Sequence, residues 1–153
     1  MKEYINKINN SFLIIILIFF SLIINFYYGY RGIFPQDSFF HFDAAYNILN
    51  KNHPIKDFYS ISGIFVDYLQ AVFFYIFGLN WFSYIFHAAV INCLLCVISF
   101  LLFNTLGLNK ILSFTYSIGV SIIAYTSVGS PFVDYHGVIF SLFSVYLLIF
   151  FIL

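Results

Sequence analysis

The stretch WFSYIFHAAVINCLLCVISFLLF, residues 81–103, decides the fold class of this chain. It continues without a charged side chain for longer than the roughly 20 residues with which a helix crosses the bilayer core. Three further apolar runs, about residues 11–28, 111–127 and 138–153, lie on either side of it. The sequence therefore predicts an all-α integral membrane protein with about four transmembrane helices.

Composition supports the membrane prediction. Of the 153 residues 63% are hydrophobic and 8% are charged, whereas soluble domains are roughly 45–50% apolar. The formal net charge is zero, which argues against nucleic acid as a partner. The bulky NFYYGYRG after the first apolar run lacks a small-residue cleavage site, which favours a retained signal-anchor helix. We expect a bacterial inner-membrane protein with its N-terminus in the cytoplasm.

Two polar segments interrupt the apolar runs, and we predict both as outer loops, at about residues 29–80 and 128–137. The first contains QDSFFHFDAAYNILNKN from residue 36, whose apolar spacing predicts a helix lying on the membrane surface. The run at 64–77 is short and contains Asp67 and Gln70, which favours an interfacial or re-entrant helix over a span. The second segment contains GSPFVDYHG, residues 129–137.

The number of crossings between the two polar segments decides whether they can share a site. If residues 64–77 do not span, two crossings separate the segments and both lie on the outer side. Lys2, Lys7 and Lys110 then lie in the cytoplasm, as the positive-inside rule favours. The rule is served only weakly, because the outer loop carries Arg31, Lys51 and Lys56.

The acids and histidines of these segments are the candidates for chemistry. Asp37, at the start of the predicted surface helix, could act as a general base or metal ligand, or simply cap the helix. His41 lies one turn further on and could support it, or be an interfacial polar residue. Asp134 and His136 lie between two apolar runs, where an acid invites a functional interpretation; the alternative is a solvated loop.

Other polar residues have plainer interpretations. Arg31 and Lys56 could bind a lipid phosphate, or anchor the chain at the headgroups. His87 lies within the long span, and we expect it to bond to a neighbouring helix. Asp67 could be a further site acid or an interfacial group. Cys93 and Cys96 read as small apolar fillers in a helix rather than a zinc or redox motif.

In this order the motifs resemble the N-terminal part of the C-type membrane glycosyltransferases. That group includes the dolichyl-phosphate-mannose protein mannosyltransferases and the bacterial aminoarabinose transferases. The resemblance covers residues from about 14 to 153. It is carried by an acid-bearing helix and linker, a short helix, the start of a long span, and a second acidic loop: DSFFHFDAAYNIL, IKDFYSISG, GIFVDYLQAVFFYIFG, LNWFS and SPFVDYHG.

The resemblance implies a sugar transfer from a polyprenyl-phosphate donor to an acceptor hydroxyl of a glycan, lipid or protein, with inversion. It implies that Asp37 is the catalytic base and that Asp134 holds the donor phosphate or a divalent metal ion. From its residue type we also predict Asp37 as a metal ligand. We predict that four further residues help to bind the donor: His136, His41, Arg31 and Lys56. Where many relatives have a second acid after the first, this chain has Ser38.

Family members are several times longer, so we expect a fragment that is inactive alone. A non-catalytic membrane subunit or a transporter fragment are the alternatives.

Overall fold

A computed structural model of the chain describes residues 9–31, 37–60, 64–125 and 128–152, except for the side chains of residues 37 and 38. These ranges form six helices and contain no β-strand, so the all-α prediction is confirmed. In chain order they are α1 (Asn10–Gly29), α2 (Asp37–Leu49), α3 (Ile64–Phe77), α4 (Trp81–Thr105), α5 (Lys110–Ala124) and α6 (Val133–Ile152).

Asparagine caps start three of these helices. The side chains of Asn9, Asn80 and Asn109 each accept a hydrogen bond from a backbone N–H in the first turn of α1, α4 and α5 respectively. Such caps satisfy N–H groups that have no partner within the helix. Before Asn80 the chain reverses at Gly78, whose φ of +84° suits glycine, so α3 and α4 form a tight helical hairpin.

The helices α1, α4 and α6 are long and apolar enough to cross a membrane. They indicate an integral membrane protein, as the composition predicts. The fourth predicted span, 111–127, is the 15-residue helix α5, which at about 1.5 Å per residue extends only about 22 Å. Among the described residues three helices therefore meet the length expected of a span, rather than four.

Although α5 is short, it packs along both α1 and α4. Near its start, Phe114 packs with Leu13, Leu17 and Phe100. Further on, the Ser121 and Ser21 hydroxyls hydrogen-bond at 2.9 Å across α5 and α1. The helices α1, α4 and α5 thus form a three-helix bundle.

Amide side chains tie one end of this bundle together. Asn25 donates to the carbonyl of Gly129 at 2.8 Å, and Asn92 donates to the carbonyl of Ser121 at 3.0 Å. The Trp81 indole N–H donates to the carbonyl of Gly29 at 3.0 Å. The end of α1, the start of α4 and the segment before α6 therefore meet, and we call this the insert end.

The helices α2 and α3 of the polar insert pack together and onto the first turns of α4. Phe42 of α2 lies against Phe74 of α3 and Tyr84 of α4, with ring centroids 4.7 and 5.4 Å apart. Ala45 and Ala71 are buried in the same cluster. The insert is thus a folded layer against the bundle.

The last helix begins earlier than expected. The sequence predicts an outer loop over 128–137 and a span from 138, whereas α6 starts at Val133. Asp134 and His136 consequently lie in its first turns instead of in a loop. Side chains two positions apart on a helix point about 200° apart around its axis. The two side chains therefore point in opposite directions, and His136 is buried while Asp134 is exposed.

Candidate functional site: a buried histidine cluster

Three polar side chains of the insert form one hydrogen-bonded group. The Nδ1 of His41 lies 2.6 Å from Oδ1 of Asp67, and the Ser60 hydroxyl donates to Oδ2 of Asp67 at 2.7 Å. The pair is almost fully buried, with side-chain exposures of 3% and 2%. A carboxylate that accepts the N–H of one imidazole nitrogen fixes the ring and leaves the other nitrogen available for proton transfer.

A second group of polar side chains joins three helices. His87 of α4 places its Nδ1 2.8 Å from Oε1 of Gln70 on α3. The Nε2 of His87 lies 3.3 Å from the Nε2 of His136 on α6. The expectation that His87 bonds to neighbouring helices is confirmed. The Nδ1 of His136 lies 3.1 Å from the carbonyl oxygen of Phe132, which fixes that ring as well.

Two tyrosines complete the surroundings of these groups. The Tyr84 hydroxyl donates to the carbonyl of Pro131 at 3.4 Å. The Tyr125 hydroxyl lies 3.3 and 3.4 Å from the two ring nitrogens of His136. Both tyrosines are fully buried.

Together these residues make a buried histidine cluster at the insert end, composed of His41, Asp67, Gln70, His87 and His136. Counted over the whole residue, none of the five is more than 2% exposed. Burying polar side chains is costly unless they are hydrogen-bonded, and here they bond chiefly to one another. The arrangement can hold or move protons.

The cluster takes in two of the residues predicted for the site. His41 and His136 are both in it. Asp37 begins α2, one turn before His41, and its side chain is outside the described part of the structure. Asp134 lies on the exposed face of α6, beside an open groove of about 580 Å³ that includes Gly137 and Ser141, and not in the cluster.

The predicted cations lie away from the cluster. Arg31 is exposed at the end of α1, where it donates to the Tyr27 hydroxyl at 2.9 Å and lies 4.4 Å above that ring's centroid. This cation–π contact suits a headgroup anchor. Lys56 is exposed in the loop after α2. Within the described ranges no three His, Cys, Asp or Glu side chains group as metal ligands, which leaves the predicted Asp37–Asp134 metal site as a prediction.

Sequence reasoning did not assign Gln70, Ser60 and Tyr125 to the site, and it left Asp67 open. A signal was available in α3, where Asp67 and Gln70 are three residues apart and share one face of an apolar helix. The two cysteines are both free, and Cys96 is buried.

The fold and the cluster define an α-helical integral membrane protein with an enclosed polar site at one end of its helix bundle. Comparison of the chain with protein-family models, curated proteins and solved structures finds no match.

Proposed function

We propose that this chain is the donor-side part of a membrane glycosyltransferase that uses a sugar carried on polyprenyl phosphate. One observation carries the proposal beside the resemblance: the insert brings a buried carboxylate–imidazole pair, His41 with Asp67, to the end of the bundle where α6 begins. An active site for a lipid-linked donor belongs at such an end, because the donor's tail stays in the bilayer while its phosphate and sugar lie at the surface.

The reaction needs a base at that depth. The acceptor hydroxyl attacks the anomeric carbon, its oxygen–carbon bond forms as the bond to phosphate oxygen breaks, and the base takes the hydroxyl proton. A single displacement inverts the anomeric centre. In this proposal Asp37 is the base, and His41, one turn on and held by Asp67, relays the proton. Base assistance of this kind contributes roughly 10²–10⁴-fold in rate.

Two surface features fit the donor. An apolar groove of about 390 Å³ between α4, α5 and α6, lined by residues such as Leu95, Ile123 and Leu142, takes part of the polyprenyl tail. Arg31 and Lys56, which are both exposed, would supply positive charge for the phosphate, and Asp134 on the exposed face of α6 would hold the phosphate or a metal ion, as the resemblance implies. The topology requires α5 to be a fourth crossing, so that α4 and α5 return the chain to the outer side.

A photoreactive polyprenyl phosphate tests this proposal. The chain in lipid nanodiscs should cross-link to it saturably, with competition by unlabelled polyprenyl phosphate and not by phosphatidylcholine. The double variant Arg31→Ala/Lys56→Ala should weaken cross-linking several-fold, while Lys110→Ala, a cation at the opposite end of the bundle, should not. Equal competition by both lipids would remove the support for a donor site.

A non-catalytic membrane subunit is the second candidate. It is favoured by the way Ser21, Asn25, Asn92 and Ser121 bond to one another across helices, as helix packing in a membrane requires. This candidate would be favoured if unlabelled polyprenyl phosphate failed to reduce the cross-linking.

A further inference from the structure

The loop that joins α2 to α3, residues 50–60, holds its backbone in a costly conformation at two places. Lys51 has a φ of +67° and Ile55 has a φ of +73°. Within the described residues, these are the only two residues other than glycine with a positive φ. The left-handed region is unfavourable for a side chain with a Cβ, and most of all for a β-branched residue such as isoleucine. Glycine would adopt the same backbone at no steric cost.

Hydrogen bonds fix the backbone around Ile55. Its N–H donates to the carbonyl of Phe58 at 2.8 Å, and the Asp57 N–H donates to the carbonyl of His53 at 2.9 Å. The Asp57 carboxylate in turn accepts the backbone N–H of His53 at 2.8 Å. The loop is therefore a folded turn that holds Ile55 in place.

The side chains at the strained positions face away from the rest of the protein. Ile55 is 81% exposed, and Lys51 and its neighbour in the loop, Lys56, are exposed as well. Packing within the chain therefore does little to offset the strain. Strained backbone persists where a particular side chain is needed for binding. An exposed aliphatic side chain between two lysines thus indicates contact with something outside the chain.

The position of the loop identifies the surface that it contacts. Ser60, the last residue of the loop, donates to the Asp67 carboxylate of α3 at 2.7 Å, so the loop ends against that helix. The exposed side chains of α3 include Phe65, Val72 and Ile76, and we expect this apolar surface to face lipid. The loop then lies where α3 meets the bilayer. An aliphatic side chain beside lysines suits the headgroup layer, because the hydrocarbon enters lipid while the ammonium groups stay among the phosphates.

We propose that the 50–60 loop contacts the membrane surface, with Ile55 inserted into the headgroup layer and Lys51 and Lys56 bound to the phosphates of anionic phospholipids. Two lysines and one aspartate give the loop a net charge of +1, which complements an anionic surface. The inference does not depend on the transferase proposal. Because Lys56 takes part in both, the experiment must separate phospholipid from polyprenyl phosphate.

Spin labels on the loop test the inference in lipid nanodiscs. In a background with Cys93 and Cys96 replaced by Ala, Ile55→Cys and His53→Cys each carry a nitroxide at a position that is exposed in the structure. The label at 55 should collide mainly with oxygen, which is concentrated in lipid, and the label at 53 mainly with a water-soluble nickel chelate. Adding phosphatidylglycerol to phosphatidylcholine should lower nickel access at 55 several-fold, and Lys51→Ala/Lys56→Ala should remove that response.

Two results with the labelled chains would overturn the inference. One is equal nickel access at 53 and 55 in both lipid mixtures. The other is a response at 55 to added polyprenyl phosphate but not to phosphatidylglycerol, because the lysines would then serve a donor site rather than the membrane surface.

The strain at Ile55 has a test of its own. Ile55→Gly relieves the left-handed conformation, so in detergent it should unfold at a denaturant concentration equal to or above that of the wild type. A clearly lower concentration would show that the Ile55 side chain packs within the chain, and this result would also overturn the inference.

Discussion

Asp67 shows at the scale of one residue why polar chemistry persists inside this apolar chain. Its two carboxylate oxygens each take a different partner, His41 and Ser60, so that no oxygen of the carboxylate is left to water. In the low-dielectric interior such bonds are strong when made and costly when lost. The cluster is therefore a stability feature whatever its chemistry.

Removing the Asp67 carboxylate should accordingly destabilise the fold. We expect Asp67→Ala to lower the free energy of unfolding by about 3 kcal/mol, because it leaves buried partners unpaired. Denaturant unfolding in detergent, followed by circular dichroism, measures this. Asp43→Ala, which removes an exposed acid of α2, should change it by less than about 0.5 kcal/mol.

The double variant His41→Ala/Asp67→Ala separates the pair from its surroundings. If the two side chains act as a unit, the double variant should be less destabilised than the sum of the single variants by about 1 kcal/mol or more. Strict additivity would contradict the pairing.

Gly129 is the second residue whose identity the packing fixes. It has a φ of +61°, and a Cβ there would fall on the backbone of Gly29 and lie 2.6 Å from the carbonyl oxygen of Asn25. Gly107 has a similar φ of +87° but open space around it. Both alanine variants meet the left-handed penalty of about 1–2 kcal/mol, and Gly129→Ala also meets the clash.

We therefore expect Gly129→Ala to cost about 2 kcal/mol more than Gly107→Ala, as measured by their unfolding free energies. Equal costs would show that the insert end is packed less closely than described.

At the scale of one helix, α3 buries its acid and its amide and exposes apolar side chains. Asp67 and Gln70 lie on its buried face beside apolar residues such as Phe74, while large side chains such as Phe65 and Tyr75 are exposed. In a soluble protein this orientation would be costly, because apolar surface would face water. Lipid removes that cost, so we expect the helix to face the bilayer with its apolar side.

Thiol labelling measures the medium around α3. Tyr75 on α3 and Tyr59 in the loop before it are each 83% exposed, so they form a matched pair that differs in surroundings. In a background with Cys93 and Cys96 replaced by Ala, Tyr59→Cys should react with a membrane-impermeant maleimide several-fold faster than Tyr75→Cys. Similar rates would mean that α3 faces water.

At the scale of the whole molecule, the bundle has two distinct ends. The insert, the end of α1 and the start of α6 lie at one end, and the turn between α4 and α5 lies at the other. This arrangement follows from α5 running parallel to α1, as the Phe114 and Ser121 contacts show.

Sidedness in cells tests that arrangement. In the same cysteine-free background, single cysteines at positions 37 and 134 should both label from outside intact cells, whereas one at position 108 should label only after permeabilisation. Labelling of 37 and 134 from opposite sides would rule out a site shared by the two acids.

The sequence by itself determined the membrane class, the helical fold and most helix positions, because long apolar runs have few stable forms in lipid other than helices. The short helix at 64–77 follows from its length and pattern. We expected four transmembrane helices, but the structure has three helices of sufficient length among the described residues. Hydropathy alone does not show where a helix ends, and the helix that begins at Lys110 ends at Ala124.

Only the tertiary structure decided which polar residues meet. His41 and Asp67 are 26 residues apart, and His87 and His136 are 49 apart; no local pattern encodes such pairings. They arise because α3 folds back on α4 while α6 returns to the same end. Asp134 and His136 are close in sequence but lie on opposite faces of one helix. Because this helix starts at Val133, Asp134 points outward and His136 points into the cluster.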